Sequence, residues 1–252
     1  MGLIDRYVLP SLNVLARERR LKALWREWRD YFATARELRR QLAASGLRTP
    51  LAAERPCLGE RTESSGRFGR YIYQDSWAFS HVLRERPEWM ADVASSRYFV
   101  GFAAQAARVV SVDLRNVDGG MENFQALKAD ILALPFGDGS VPLVSSLSVL
   151  EHVGLGRYGD APDVHGMARA AREMARVARP GGLVLAAFPA GREDRIVYNA
   201  HRVLTPESSR ALFAGLDLVD ERYALGDRIC TLAEYDRLGR PYAYGCYAFR
   251  KP

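Results

Sequence analysis
Carboxylates and imidazoles in this chain fall where apolar runs stop, which is where an α/β sheet holds its ligands. Asp113 closes the run Arg108-Val109-Val110-Ser111-Val112, twenty-one residues after Asp92. A carboxylate there, with Leu114 beside it, is placed to accept both hydroxyls of a ribose; its plainer use is to cap a helix or hold a turn. Asp130-Ile131 follows, with two equal uses: an acceptor for a ring amino group with an apolar side chain packed on the ring, or a solvated turn. Ser148, Glu151 and His152 come just after the run Val141 to Leu147. Histidine is the natural proton acceptor at neutral pH, and of the four histidines His152 and His201 are the candidate bases. Between them Gly154-Leu155-Gly156-Arg157-Tyr158-Gly159-Asp160 is a glycine-punctuated loop. Tyr158 can stack on a polar ring while Glu151, Arg157 and Asp160 make directional hydrogen bonds; an Arg157–Asp160 pair pinning the loop is the equal alternative. His152, Asp160, Asp163 and His165 could meet at a divalent ion, but no recognised ligand spacing such as His-Glu-x-x-His occurs, and no metal is assigned.

These side chains need a scaffold of strands and helices, and the pattern supplies one. A helix from Asp75 as cap to about Arg84 leads into a first strand ending near Asp92-Val93. Further strands are expected at Arg108 to Leu114, Gln125 to Lys128, Val141 to Leu147, Leu183 to Phe188, Leu216 to Tyr223 and Ala243 to Phe249. Met167, Ala171, Met174 and Val177 form one apolar helical stripe that Pro180-Gly181-Gly182 ends in a turn, and Thr205-Pro206 starts another helix. Alternating strands and helices predict a doubly wound, mostly parallel, seven-stranded α/β sheet. The turn after the first strand, Ala94-Ser95-Ser96, has side chains small enough to let the backbone approach a ligand, and with Asp92 and Ser148 it completes a candidate nucleotide-type pocket.

The N-terminal 46 residues differ from the rest. They carry ten Lys and Arg against five Asp and Glu, nearly all of the excess in a chain whose net charge is +6. Leu21, Leu24, Trp25, Trp28, Tyr31, Phe32, Leu38 and Leu42 recur at three- and four-residue steps on a helix starting near Ser11. Such a helix packs on the following domain or on a second copy of the chain, or lies on an anionic membrane surface. Nucleic acid is not expected, since no recognition motif accompanies the basic residues. Residues 47–69 read as a linker or cover, and residues 70–252 as the catalytic domain. At 252 residues and 48% hydrophobic, the chain can bury a full core. No apolar run spans a membrane and no leader pattern opens the chain, so the cytoplasm is the expected compartment, with membrane attachment of the basic helix left open. Cys57, Cys230 and Cys246 are widely spaced and support neither a disulfide framework nor a metal site.

The run Ala129-Asp130-Ile131-Leu132-Ala133-Leu134-Pro135-Phe136-Gly137-Asp138-Gly139-Ser140 resembles the stretch before the fourth strand of class I, type-11-like S-adenosylmethionine-dependent methyltransferases, with Val141-Pro142 in place of Phe-Asp. Tyr71-Ile72-Tyr73-Gln74-Asp75-Ser76-Trp77-Ala78, Glu151 to Asp160, Asn199-Ala200-His201-Arg202-Val203 and Tyr244-Gly245-Cys246 resemble blocks of one bacterial methyltransferase-like family of unknown function found among surface-polysaccharide genes. The resemblance spans about Arg70 to Lys251. It implies a Rossmann-like fold, S-adenosylmethionine as cofactor, and Asp92, Ala94, Ser95, Ser96, Asp113, Leu114, Asp130, Ile131 and Ser148 around that cofactor. The family-like block adds His201, Asn199 and Arg202 to the acceptor side. The expected activity is O-methylation of a sugar hydroxyl in surface polysaccharide synthesis. The alternative is a non-catalytic module that binds a glycan or organises a complex. A nicotinamide-dependent oxidoreductase is disfavoured by the missing Gly-x-Gly-x-x-Gly.

Overall fold
The computed structural model describes residues 14–45, 58, 68–115, 120–198 and 200–252. The expected helix start near Ser11, Cys57, Asn199 and nearly all of the 47–69 segment lie outside them. The chain divides into two compact units, Met1–Gly66 and Arg67–Pro252.

In the first unit the described element is helix α1, Val14–Ser45. Spacing of four residues puts Trp28 and Phe32 on one side, and their rings stack at 5.5 Å. Leu21, Leu24, Trp25, Phe32 and Leu38 are exposed along it. Among the described residues no helix is long and apolar enough to cross a membrane.

The second unit is built on one sheet. Its strands are β1 (Trp89–Val93), β2 (Arg108–Asp113), β3 (Phe124–Lys128), β4 (Val141–Leu147), β5 (Ala178–Gly191), β8 (Asp217–Ala224), β9 (Ile229–Cys230) and β10 (Tyr242–Arg250); β6 (Arg195–Val197) and β7 (His201–Val203) form a separate hairpin. The order is β3-β2-β1-β4-β5-β10-β8-β9. Strands β1 to β5 pair in parallel, and β10 runs antiparallel between β5 and β8. Eight strands replace the expected seven, because Ile229 and Cys230 pair antiparallel with Ala224 and Tyr223 at the edge. The order reverses between β1 and β4, the switch point where a crevice opens beyond the strand ends.

Helices cover both faces. Helices α2 (Arg70–Glu85) and α3 (Arg97–Ala103) bury Trp77, Ala78, Val82, Phe99, Val100 and Ala103 against one face. Helix α4 (Gly166–Val177) buries Met167, Ala170, Ala171, Met174 and Val177 against the other. Two smaller helices, α5 (Pro206–Ala211) and α6 (Leu232–Leu238), are capped by Thr205 and Thr231.

Two local expectations are corrected. Asp75 does not cap α2, which starts five residues earlier behind an extended Gly69; inside the helix the carboxylate reaches out of it instead. The chain after α4 forms no free turn. Ala178 passes straight into β5 through a bulge in which Gly181, at φ +71°, donates to the Lys251 carbonyl at 2.8 Å.

Candidate functional site
A cavity of about 560 Å³ opens beyond the carboxyl ends of β1, β2, β3 and β4. Ala94 follows β1, Asp113, Leu114 and Arg115 close β2, Asp130 and Ile131 follow β3, and Ser148 and His152 follow β4; Tyr158 and Asp160 come from the glycine-punctuated loop. The parallel register makes this one floor, since Asp92 pairs with Ser111 on one side and with Ser145 on the other.

Two floor residues hold a left-handed backbone without being glycine: Ala94 at φ +53° and Ser148 at φ +60°. Such conformations are costly for an L residue and persist where surroundings over-determine them. The surroundings here are polar and buried. Asp92 accepts from the Ser145 hydroxyl at 2.7 Å and from the Ser95 amide at 3.1 Å. Ser95 Oγ in turn accepts from the Leu147 amide at 3.0 Å, tying the β1 turn to β4. Ser96 caps α3 and donates to Asp75 at 2.5 Å. Ser148 donates to Gln74 Oε1 at 2.7 Å. Asp92, Ser95 and Ser96 thus stand behind the cavity wall as its frame, while Ala94 and Ser148 face the cavity. Burial pushes Asp92 up to about 6 against the hydrogen bonds from Ser95 and Ser145.

The sequence marks Asp75 only as a helix cap and gives Gln74 no role, yet both brace the strained turns from α2. Their signal was a Gln-Asp pair on the buried side of an amphipathic helix.

Asp113 accepts from Arg115 through both oxygens, at 3.1 and 2.9 Å, and from the Arg115 amide at 2.9 Å. Burial works against ionisation there, and the Arg115 contacts outweigh it and keep the carboxyl below its usual range. Asp130 caps the turn Ile131–Ala133 by accepting from the Leu132 amide at 2.9 Å, and Ile131 is buried beside it.

His152 donates from Nδ1 to the Ala200 carbonyl at 2.6 Å, which directs the lone pair to Nε2. Burial holds its pKa down to about 4, with the Ala200 bond opposing, so the ring is neutral around pH 7. Glu151 is fully buried; Oε1 lies 3.7 Å from His152 Nε2, and Oε2 has no hydrogen-bond partner among the described residues. Burial pushes its pKa up to about 8, leaving it protonated at neutral pH. His201 lies on β7 outside the cavity lining, with its ring 6.1 Å from that of Tyr242.

The loop after His152 is pinned by its own backbone. Asp160 accepts from the amides of Gly154, Tyr158 and Gly156 at 2.7, 3.2 and 3.3 Å. No Arg157–Asp160 pair forms among the described residues; Arg157 donates to the Ala200 carbonyl at 2.9 Å. Gly154 at φ +80° is obligatory, because a Cβ there would overlap the Asp163 carbonyl. Arg202 gives its guanidinium to the carbonyls of Val153 and Asp163 at 2.6 and 3.0 Å, so it holds the loop rather than facing the cavity. Tyr158 stands half exposed, its ring edge-on to His152 at 5.6 Å and flanked by the Arg115 and Arg157 guanidinium groups at 5.5 and 5.2 Å. Among the described residues no group of three or more His, Cys, Asp or Glu is arranged to hold a metal ion.

A family model described as "Caenorhabditis protein of unknown function, DUF268" matches residues 104–231. No curated protein matches the sequence. Solved structures share the fold. The [4+2]-cyclase SpnF superposes with a TM-score of 0.53 at 14% identity, over 75% of this chain and 86% of its own. The 1,6-didemethyltoxoflavin-N1-methyltransferase of Burkholderia thailandensis, bound to S-adenosylhomocysteine, gives 0.52 at 16% identity over 72% and 78%. Geranyl diphosphate methyltransferase in complex with SAM gives 0.51 at 12% identity over 70% and 85%. At these identities the likeness establishes a Rossmann-like methyltransferase fold, and the presence of a cyclase among such structures means that fold alone does not name a reaction.

Proposed function
We propose, from the premise that this chain belongs to the DUF268 family of unknown function, that it is an S-adenosylmethionine-dependent O-methyltransferase acting on a sugar hydroxyl. The observation that carries the reading is the single cavity running from Ala94 past Asp113, Asp130 and Ile131 to Ser148 and His152. Its size falls within the range of pockets for small organic ligands, and its donor set suits an adenosyl group. The left-handed turn at Ala94 brings main chain to the floor with only a methyl side chain in the way. Asp113 offers two acceptor oxygens for vicinal hydroxyls once Arg115 releases them, and Asp130 with Ile131 offers an acceptor beside an apolar surface.

When bound, S-adenosylmethionine supplies an activated methyl group. The chain's part is alignment and proton removal. Neutral His152, with Nδ1 committed to the Ala200 carbonyl, accepts the hydroxyl proton at Nε2. The protonated Glu151 beside it adds no competing negative charge around pH 7. Tyr158 offers a ring face for a pyranose at the cavity mouth. Surface polysaccharide or its precursor remains the acceptor suggested by the sequence resemblance, and the exposed aromatic side of α1 suits contact with a second copy or with a membrane surface.

Calorimetric titration with S-adenosylmethionine and S-adenosylhomocysteine tests the cofactor half directly. Saturable binding of both supports it; binding of neither removes the enzyme reading. One observation favours a second reading, a non-catalytic glycan-binding module: both Asp113 oxygens are engaged by Arg115. That module would bind glycan and leave the adenosyl compounds in solution.

A further inference from the structure
Beyond the cavity lining lies a second group of side chains: Arg70 at the start of α2, Arg157 in the loop after His152, Arg195 on β6 and His201 on β7. Burial and then the charges of Arg157, Arg195 and Arg70 hold the His201 pKa below its ordinary value, so three guanidinium groups act on one imidazole. Arg195 is drawn to Glu193 at 3.3 Å. Arg70 and Arg157 have no carboxylate partner among the described residues.

Both are instead held by aromatic faces. The Arg70 guanidinium sits over the rings of Tyr242 and Tyr244 at 5.0 and 5.5 Å, and that of Arg157 over Tyr158 at 5.2 Å. Stacking orients a guanidinium plane and leaves N–H edges free for an oxyanion. Arg157 Nη1 also shares the Ala200 carbonyl with His152 Nδ1, so this arginine stands one carbonyl group from the proposed base. Two carboxyls stand near the group: Glu151, which is buried and protonated at neutral pH, and Asp160, which is held ionised by three loop amides and acts on His152 rather than on His201. The field around His201 is therefore positive, and a neutral sugar would leave it unanswered.

We propose that the acceptor carries an anionic group, a phosphate or a carboxylate, and that Arg70 and Arg157 hold it beside His201 while its hydroxyl faces His152. This inference rests on the methyl-transfer reading above. A sugar phosphate or a uronic acid fits the requirement, and neutral glycans do not.

The test uses the full chain and three probes, glucose 1-phosphate, glucuronate and glucose, titrated by calorimetry with S-adenosylhomocysteine titrated in parallel. At least one anionic sugar is expected to bind with a dissociation constant at or below about 1 mM, glucose at least about tenfold more weakly. Tighter binding of glucose 1-phosphate identifies a phosphate site, and tighter binding of glucuronate a carboxylate site. Arg70→Gln and Arg157→Gln are each expected to weaken the anionic sugar about tenfold or more, the loss of one charge-assisted contact, and to leave S-adenosylhomocysteine binding unchanged. Both arginines are exposed, and equal melting temperatures show that the variants fold. Two results overturn the proposal: no anionic probe binding in the millimolar range, or anionic binding that both variants retain. Failure of S-adenosylhomocysteine to bind sinks the methyl-transfer reading separately, because the sugar titrations do not depend on it.

Discussion

At Ala94 the strand-end floor carries a side chain where its backbone angle suits glycine. The left-handed conformation costs a non-glycine residue about 1–2 kcal/mol, part of which glycine returns through greater freedom of the unfolded chain. Ala94→Gly is therefore expected to stabilise the protein by about 0.5–1 kcal/mol and raise its melting temperature by about 1–4 °C in scanning calorimetry. A lowered melting temperature would mean that the methyl group packs against something worth more than the strain. Asp113 supplies a second test. Its exposed partner Arg115 forms the kind of ion pair worth about 0–1 kcal/mol, so Arg115→Gln should tighten S-adenosylhomocysteine binding by up to about fivefold. Asp113→Asn should weaken the same binding about tenfold or more through the lost charged acceptor. Equal affinities in all three proteins would remove Asp113 from the cofactor site. For His152→Ala the expected outcome is near-normal affinity for the cofactor product and turnover slowed by about 10² to 10⁴-fold on an accepted sugar.

Among the elements, α2 does more than cover one sheet face. Its buried Gln74 accepts from Ser148, and its Asp75 accepts from Ser96, so one helix turn braces the ends of β1 and β4 together. Gln74→Ala leaves the Ser148 hydroxyl without its partner and should cost about 1–3 kcal/mol, read as a fall in the melting temperature, with weaker cofactor-product binding alongside. Stability lost with affinity unchanged would make the brace purely architectural. The sequence reveals β1, β2 and β4 closely because buried parallel strands read as continuous apolar runs that stop at polar residues, but it hides the first five residues of β5, where Pro180-Gly181-Gly182 reads as a turn. It conceals β9, two residues long, and the hairpin β6–β7, whose short strands carry Arg195, His201 and Arg202. Strand-end positions such as Asp113, Asp130 and His152 were legible for the same reason as the strands. The Gln74–Ser148 contact joins residues 74 positions apart, and no local pattern encodes it. Neither does residue type disclose that Ala94 and Ser148 adopt left-handed angles, since both are ordinary in strands and turns.

For the molecule as a whole, buried ionisable groups set how stability follows pH. Asp92, raised to about 6, and Glu151, raised to about 8, both keep their protons more tightly in the folded chain than in the unfolded one. As pH climbs the unfolded chain ionises first, so each contributes fully below its unfolded value and is lost as pH rises through its folded value. His152, lowered to about 4, has the opposite sign: its contribution is lost as pH falls from the ordinary imidazole value of 6.5 toward 4. Between pH 6.5 and 8 the last of the Asp92 loss and the recovery of the His152 contribution are small and opposite in sign, so Glu151 dominates among the three. Over that interval of 1.5 pH units it should remove about 2 kcal/mol of stability at 1.36 kcal/mol per unit, a fall of about 4–8 °C. Glu151→Gln keeps the shape and cannot ionise, so its melting temperature should stay level from pH 6.5 to 8 while that of the wild type declines. Parallel curves for the two proteins would show that Glu151 ionises in the folded state at ordinary pH, and with that the positive field assigned to Arg70 and Arg157 beside His201 would be neutralised from within.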